Sequence, residues 1–204
     1  LRALQAQINP HFIYNTLNSV SCMALLHQEN EISQVLGSLT KVIRYNLKKP
    51  DAIVHLEEEL ENIYSWCRIQ ECCYEQSIRF SYDIQVPADQ IKIPKLIIQP
   101  LIENAVVHGA NFAGEDARIC LHIWMEGKCL YIVVWDNGTD VDTDRINRLA
   151  CGKGEVCSDS LGVRNVYERI RLRYGSAGQM RFEQDEEHHT LVQIVIPAEM
   201  DQSL

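Results

Sequence analysis

The chain has 204 residues, which is enough for one large domain or two small ones. Its residues are 46 % hydrophobic and 23 % charged, as in a soluble globular protein, and the net charge of -9 argues against a nucleic-acid-binding face, which usually carries a basic stripe. No apolar run approaches about 18 residues, so the sequence predicts no transmembrane helix.

The first third of the sequence predicts helices. Apolar residues recur every three or four positions, which predicts amphipathic helices over residues 1–27, 31–48 and 56–76. The second helix ends at Lys48-Lys49-Pro50, because basic residues followed by proline are a stop signal. These helices are too few to bury their own apolar stripes, so we expect two copies to pack as a four-helix bundle in a homodimer.

From about residue 79 the pattern predicts a mixed sheet covered by helices. Alternating apolar residues predict a strand over 80–86, and the hairpin signal Glu126-Gly127-Lys128 predicts strands on either side of it, over 118–125 and 130–135. The last two strands are predicted over 180–184 and 190–196. Helices are predicted over 94–107, 143–150 and 162–174, with Pro100 either restarting or kinking the first of these. The order is typical of an α+β protein in which an α/β sandwich follows a helical hairpin. We therefore predict a helical dimerisation region at 1–78, a sheet domain at 79–200 and a tail at 201–204.

One histidine near the start of the chain lies in a distinctive segment. His11 directly follows Pro10, and residues 5–18 read QAQINPHFIYNTLN. Asn15 comes four residues later and therefore shares its helical face. A histidine offers a nucleophilic nitrogen at neutral pH, because its unperturbed pKa is about 6.5. His11 is thus a candidate acceptor of a reactive group, and a surface histidine on a dimer helix is the ordinary alternative.

Two polar residues interrupt an apolar helix in a second segment, residues 94–109, which reads PKLIIQPLIENAVVHG. They are Glu103 and Asn104, and a buried Glu-Asn pair needs a reason because burial of polar groups costs free energy. An amide oxygen is a hard ligand of the kind that Mg²⁺ prefers, so Asn104 can serve a magnesium ion beside phosphate. A solvated polar face is the alternative.

A third segment, Asp136-Asn137-Gly138, follows an apolar strand. A carboxylate there can accept a hydrogen bond from the amino group of adenine, and Gly138 lets the backbone approach the base. An ordinary turn is the alternative, since this tripeptide is common in turns. Residues 151–161 form a loop rich in glycine and serine, and the helix that begins near Gly162 can bind phosphate through its N-terminal amides.

In this order and spacing, the three segments resemble the phosphoacceptor box, N box and first glycine box of sensor histidine kinases of the LytS type. The resemblance covers nearly the whole chain and implies the ATP-binding fold shared with Hsp90, gyrase and MutL. It implies that the protein phosphorylates a histidine from Mg-ATP and passes the phosphoryl group to an aspartate in a response-regulator receiver domain. The start within a helical pattern, without a signal peptide, indicates the cytoplasmic part of a bacterial protein with a membrane sensor region N-terminal to it.

The resemblance also implies roles for individual residues. His11 is the phosphoacceptor, and Asn15 has a phosphatase or positioning role. Glu103 is catalytic, because it holds a metal-bound water or polarises the attacking imidazole, and Asn104 is the Mg²⁺ ligand. The other residues expected to contact ATP are His108, Asp136, Gly138, Gly162 and Asn165.

The chain departs from the family pattern in several places. Ser160 and Asp140 stand where the family has glycine, and residues 187–190 lack the glycine usual before the last strand. These departures leave open a histidine-kinase-like dimeric scaffold with weakened catalysis. An ATPase of the same fold without phosphohistidine is a further alternative, although Pro100 occupies the place of the glutamate of Hsp90-type sites. The eight cysteines include no Cys-x-x-Cys pair and are predicted to be reduced thiols.

Overall fold

The computed structural model of the chain describes residues 10–49, 51–74, 77–109, 116–138, 142–150 and 161–200. Six α-helices and eight strands lie within these ranges. The helices are α1 (Pro10–Leu26), α2 (Asn30–Asn46), α3 (Leu56–Cys73), α4 (Gln99–Gly109), α5 (Thr143–Ala150) and α6 (Leu161–Tyr174). The strands are β1 (Ile53–His55), β2 (Ile78–Ile84), β3 (Ile91–Pro94), β4 (Ala117–Glu126), β5 (Cys129–Asp136), β6 (Gln179–Gln184), β7 (Thr190–Pro197) and β8 (Glu199–Met200).

Helices α1 and α2 form a hairpin, in which α1 packs against α2 and α2 also packs against α3. The hydroxyl groups of Ser21 and Ser33 lie 2.8 Å apart across it, and the Arg44 guanidinium lies 5.8 Å from the ring centre of Tyr14. The two predicted helices are confirmed within the described residues, and residues 1–9 lie outside them. The hairpin is therefore a helical unit at the N-terminal end of the described chain.

A mixed five-stranded sheet organises the rest of the molecule. Its strand order is β2-β4-β5-β7-β6. Strands β2 and β4 are parallel, and each of the other neighbouring pairs is antiparallel. Apolar side chains alternate along β4 and β7 and face the helices, as a sheet covered on one side requires. The predicted α+β class and mixed sheet are confirmed.

A second, smaller sheet was not predicted. Strands β1, β3 and β8 pair antiparallel in the order β1-β3-β8. They have only 3, 4 and 2 residues, so none is long enough to show a recognisable alternation. The sheet joins the segment after α2 to the segment before α4.

The predicted helix over 94–107 is wrong at its start. Pro94 ends β3, and α4 begins only at Gln99. Pro100 is therefore in the first turn of α4, where its missing N–H group has no intrahelical partner to lose. Pro100 thus lies at the start of this helix and does not kink it.

Helices α3, α4 and α6 share one hydrophobic core with the five-stranded sheet. Leu56 and Ile63 of α3 belong to the same buried cluster as Ile119 and Ile194 of the sheet. Burying a large aliphatic side chain contributes roughly 1.5–3 kcal/mol, so α3 depends on this core for its stability. The domain boundary at residue 78 stays a prediction, and this packing favours grouping α3 with the sheet.

Neither a membrane-spanning helix nor a disulfide lies within the described ranges. No helix there combines the length and apolar character that a bilayer span requires. The six cysteines within the same ranges are free thiols, and Cys151 and Cys157 lie outside them.

The turn between β6 and β7 has a left-handed residue where glycine is favoured. His188 has a φ of 65°. Asp185 holds the turn because its Oδ1 accepts the backbone N–H groups of Glu187 and His189, both at 2.9 Å. The Trp135 indole N–H also donates to this carboxylate at 3.0 Å and, with these amides, lowers the pKa of Asp185 to about 2. One carboxylate thus closes the turn without the glycine that the family pattern carries.

Replacing His188 by glycine should raise the free energy of unfolding by about 0.5 kcal/mol. Glycine adopts the left-handed conformation without strain, so the substitution removes about 1–2 kcal/mol of strain. The larger backbone entropy of glycine in the unfolded chain offsets about 0.5–1 kcal/mol of this gain. His188→Ala is the matched control, because alanine keeps the strain. Urea unfolding of both variants measures the difference, and a glycine variant no more stable than the alanine variant would contradict the argument.

Candidate active site

Asp136 lies at the end of β5 in a buried position. Its side chain is 6 % exposed, and Thr190 is its partner in the antiparallel register with β7. The Gly138 N–H group donates to Asp136 Oδ1 at 3.0 Å. Burial raises the pKa of Asp136 to about 7, and the bond from Gly138 and the nearby His189 only partly oppose this rise. A carboxyl with this pKa changes its charge readily near neutral pH.

Thr190 was missed by the sequence reasoning. The residue is buried, and its hydroxyl donates to the carbonyl oxygen of Gly138 at 3.4 Å, so β7 contacts the turn after β5. Its place opposite Asp136 follows from the pairing register of two strands that are distant in sequence. No local signal in the sequence states that register.

Asn137 fixes the turn that carries Asp136 and Gly138. Its Oδ1 accepts the Arg118 backbone N–H at 2.7 Å, and its Nδ2 donates to the carbonyl oxygen of Asp116 at 3.2 Å. The side chain is buried, so both bonds are shielded from water. The end of β5 is thereby held to the start of β4, and the backbone around the buried carboxyl is constrained.

Glu103 and Asn104 are half-buried neighbours on α4. Gln99, one turn earlier, donates through Nε2 to Glu103 Oε1 at 2.6 Å. The Gln99 Oε1 in turn accepts from the Asn62 amide of α3. Burial raises the pKa of Glu103, and the bond from Gln99 works against this rise. This amide chain orients the carboxyl of Glu103, while Asn104 offers one amide oxygen beside it.

The first turn of α6 lies against the first turn of α4. A Cβ atom placed on Gly162 would lie 3.7 Å from Cβ of Pro100. Asn165 is exposed in the same turn region. The first N–H groups of a helix have no intrahelical acceptor and can bind an anion. Residues 151–160, including Ser160, lie outside the described ranges, as do Asp140 and the side chain of His108.

His11 and Asn15 form a pair on the exposed surface of α1. The Asn15 Nδ2 lies 3.2 Å from His11 Nδ1, as expected for residues four apart on one helix. Helix α1 packs chiefly against α2, whereas Glu103, Asn104 and Asp136 belong to the sheet and its covering helices. The predicted residues thus fall into an acceptor part and a nucleotide part on separate elements.

The chain is similar in sequence to known histidine kinases. Residues 1–78 match the family described as histidine kinase. The chain is 34 % identical over 197 residues to the sensor histidine kinase YesM of Bacillus subtilis, which covers 97 % of this chain and 33 % of that protein. It is 30 % identical over 196 residues to the sensor protein LytS of Streptococcus mutans, with 94 % and 33 % covered. The chain spans about a third of the length of these relatives.

The fold is also similar to solved structures. The catalytic domain of the histidine kinase ThkA superposes with a TM-score of 0.55 at 17 % identity, covering 73 % of this chain and 96 % of that one. At this level of identity the likeness concerns the fold alone. It agrees with the predicted α+β architecture.

Proposed function

Because this chain belongs to the sensor histidine kinase family, we propose that it transfers the γ-phosphoryl group of Mg-ATP to His11 and then to an aspartate of a response-regulator receiver domain. The observation that carries the proposal is the separation of its polar groups into two parts. Asp136 is buried at the end of β5, and Glu103 and Asn104 are half-buried on α4, which packs on the sheet, while His11 is exposed on the hairpin. Such a kinase needs a sheltered nucleotide site and an accessible acceptor.

Asp136 suits the recognition of adenine. In the proposal its carboxylate accepts a hydrogen bond from the 6-amino group, while Gly138 and Thr190 line the same end of the sheet. A hydrogen bond to a charged group contributes about 1.5–3 kcal/mol. Guanine carries a carbonyl oxygen at the corresponding position, so the carboxylate would repel it. Asp136 would therefore select adenine nucleotides.

The residues on α4 suit a magnesium ion that is held mainly by phosphate and water. Asn104 would supply one protein oxygen, and Glu103, oriented by Gln99, would lie beside it. When bound, Mg²⁺ supplies positive charge that offsets the charge of the triphosphate. The first turn of α6, with Gly162 and Asn165, would bind phosphate through backbone N–H groups. His108 is proposed to lie near the same phosphates.

Asn15 suits a role in setting the tautomer of His11. Its Nδ2–H group faces Nδ1 of the ring, an arrangement that favours a proton on Nε2. A half-turn of the Asn15 amide would present its oxygen to an Nδ1–H group instead and leave a lone pair on Nε2.

The transfer step follows from that lone pair. Attack by Nε2 of His11 on the γ-phosphorus of ATP forms a nitrogen–phosphorus bond, breaks the bond from this phosphorus to the bridging oxygen of the β-phosphate and releases ADP. The receiver aspartate then takes the phosphoryl group from the imidazole.

The hairpin suits a dimer interface. Four large apolar side chains of α1 expose more than half of their surface: Phe12 at 68 %, Met23 at 59 %, Leu25 at 54 % and Leu26 at 83 %. A second copy could cover such residues in a four-helix bundle. We also propose a membrane sensor region N-terminal to this segment, with the segment in the bacterial cytoplasm, since the relatives are named sensors and about two thirds of their length lies outside the match.

Incubation with γ-labelled ATP and Mg²⁺ tests the proposed reaction. Label that is acid-labile and base-stable would indicate a phosphoramidate on the protein. ATP hydrolysis without protein label would favour an ATPase of the same fold. Nucleotide binding that is weak or absent, with no label, would favour the scaffold with weakened catalysis, for which Ser160 and Asp140 are the sequence arguments.

ATP affinity should rise about tenfold between pH 6 and pH 8, because the adenine contact needs ionised Asp136 and its pKa is raised to about 7. Below that pKa the carboxyl is mostly neutral, so binding must also remove a proton. Asp136→Asn should bind more weakly and lose this pH dependence. Titration calorimetry of both proteins at three pH values measures the effect, and equal slopes would assign the pH dependence to another group.

A further inference from the structure

Residues 95–98 connect β3 to α4, and we call them the 95–98 junction; Lys95, Ile97 and Ile98 are buried and Leu96 is half-buried. Lys95 is 1 % exposed, an unusual burial for a lysine. Leu96 has a φ of 59°, a left-handed conformation that leucine rarely adopts. Because α4 begins directly after this junction, its conformation determines where that helix starts.

A fully buried carboxylate on α3 holds the junction. Glu59 accepts the backbone N–H groups of Leu96 at 2.7 Å, Ile98 at 3.1 Å and Gln99 at 3.5 Å. These groups precede or open α4 and have no intrahelical acceptor. The same carboxylate accepts the hydroxyl group of Tyr45, which lies on α2. Glu59 therefore bonds the start of α4 and the end of the hairpin at once.

A second set of contacts joins the junction to the hairpin. The Lys95 Nζ donates to the carbonyl oxygens of Asn46 at 3.3 Å and Lys48 at 2.9 Å. It also lies 5.0 Å from the ring centre of Tyr45. These carbonyls lie at the last residue of α2 and two residues beyond it, where cations are favoured by the helix dipole. Lys95 and Glu59 thus both contact α2.

The junction also contacts the two helices of the nucleotide part. The Arg169 guanidinium of α6 donates to the carbonyl oxygen of Lys95. On α4, Gln99 links the junction to the carboxyl of Glu103 at 2.6 Å, and Asn104 follows directly. A displacement of α2 would therefore act on α4 and α6 through hydrogen bonds in the low-dielectric interior.

We propose that Glu59 is a positioning residue for α4, and that its bond from Tyr45 makes the placement of Glu103 and Asn104 relative to His11 depend on α2. The inference rests on the proposed kinase function and adds a connection that the reaction itself does not require. Burying the carboxyl of Glu59 and the hydroxyl of Tyr45 costs free energy that apolar residues in the same space would not cost. The four hydrogen bonds to Glu59 instead fix the position of α4 relative to α2.

Tyr45→Phe removes the hydroxyl group and leaves the ring and all backbone bonds of Glu59 in place. The autophosphorylation rate at saturating Mg-ATP should fall about tenfold, because misplacement of reacting groups lowers transfer. The dissociation constant for ATP should stay within about twofold, since α4 keeps its bonds to Glu59. Tyr64→Phe, a matched loss of a hydroxyl on α3 away from the junction, should leave both quantities unchanged.

A rate unchanged by Tyr45→Phe, or an equal loss in Tyr64→Phe, would overturn the inference and leave the kinase function standing. A wild-type chain that takes no label would overturn both. Glu59→Gln provides a second variant: its amide N–H group competes with the backbone donors of Leu96 and Ile98, so ATP affinity and rate should both fall, by about tenfold or more. Wild-type affinity in a folded Glu59→Gln protein would also overturn the positioning role.

Discussion

Replacing His11 by glutamine should reduce phosphoryl transfer to the protein to background, a loss of about 100-fold or more. The expected size follows from chemistry. Glutamine has a side chain of similar length, but its amide nitrogen has no basic lone pair with which to attack phosphorus. The exposed position of His11 on α1 means that the change should not disturb packing, so the loss would reflect the missing nucleophile.

A matched histidine is available as the control. His27 is exposed in the turn after α1 and lacks the surrounding motif. His27→Gln should label as the wild-type chain does, and both variants should bind ATP with wild-type affinity, because neither residue belongs to the nucleotide part. Label on the His11→Gln protein at wild-type extent would assign the phosphoacceptor to another side chain.

The elements that could be predicted from the sequence are those with a local periodic signal. The strands β4, β6 and β7 each have six or more residues with alternating burial, β5 contains an unbroken apolar run, and the predicted ranges match all four closely. The strands of the small sheet lack such a signal because they are held by pairing and not by their own length. The start of α4 was missed because an apolar run from Pro94 is compatible with helix until the β3 pairing is known.

The sequence indicated the segments that carry the candidate site residues, but it did not indicate the hydrogen bonds that join distant parts of the chain. Glu59 stands in the sequence among three consecutive glutamates in the first turn of α3, where the helix dipole favours them all. The structure buries only Glu59 of the three, and it does so against the backbone N–H groups of Leu96 and Ile98. These two partners lie 37 and 39 residues further along the chain. Long-range hydrogen bonds of this kind depend on tertiary packing, which periodicity does not encode. The roles of the site residues stay predictions that the proposed variants test.

Asn104→Asp should abolish Mg-dependent ATP turnover while the fold is retained. The two side chains have nearly the same size, so the half-buried position on α4 should still accommodate the change. The new carboxylate would lie beside Glu103, whose pKa burial already raises, and near the triphosphate. Unit charges about 4 Å apart interact by about 4 kcal/mol near a protein surface, which corresponds to roughly 1,000-fold in rate or affinity.

Asn30→Asp makes the same chemical change at an exposed position at the start of α2 and should leave labelling unchanged. Far-ultraviolet circular dichroism and urea unfolding would establish that both variants are folded. ATP binding with and without Mg²⁺ would then separate a metal effect from a general loss of affinity: the wild-type chain should gain affinity on adding Mg²⁺, and the Asn104→Asp chain should not. Unaltered autophosphorylation in Asn104→Asp would remove this residue from the magnesium site, because a metal ligand that faces phosphate does not tolerate an added negative charge without a change in rate.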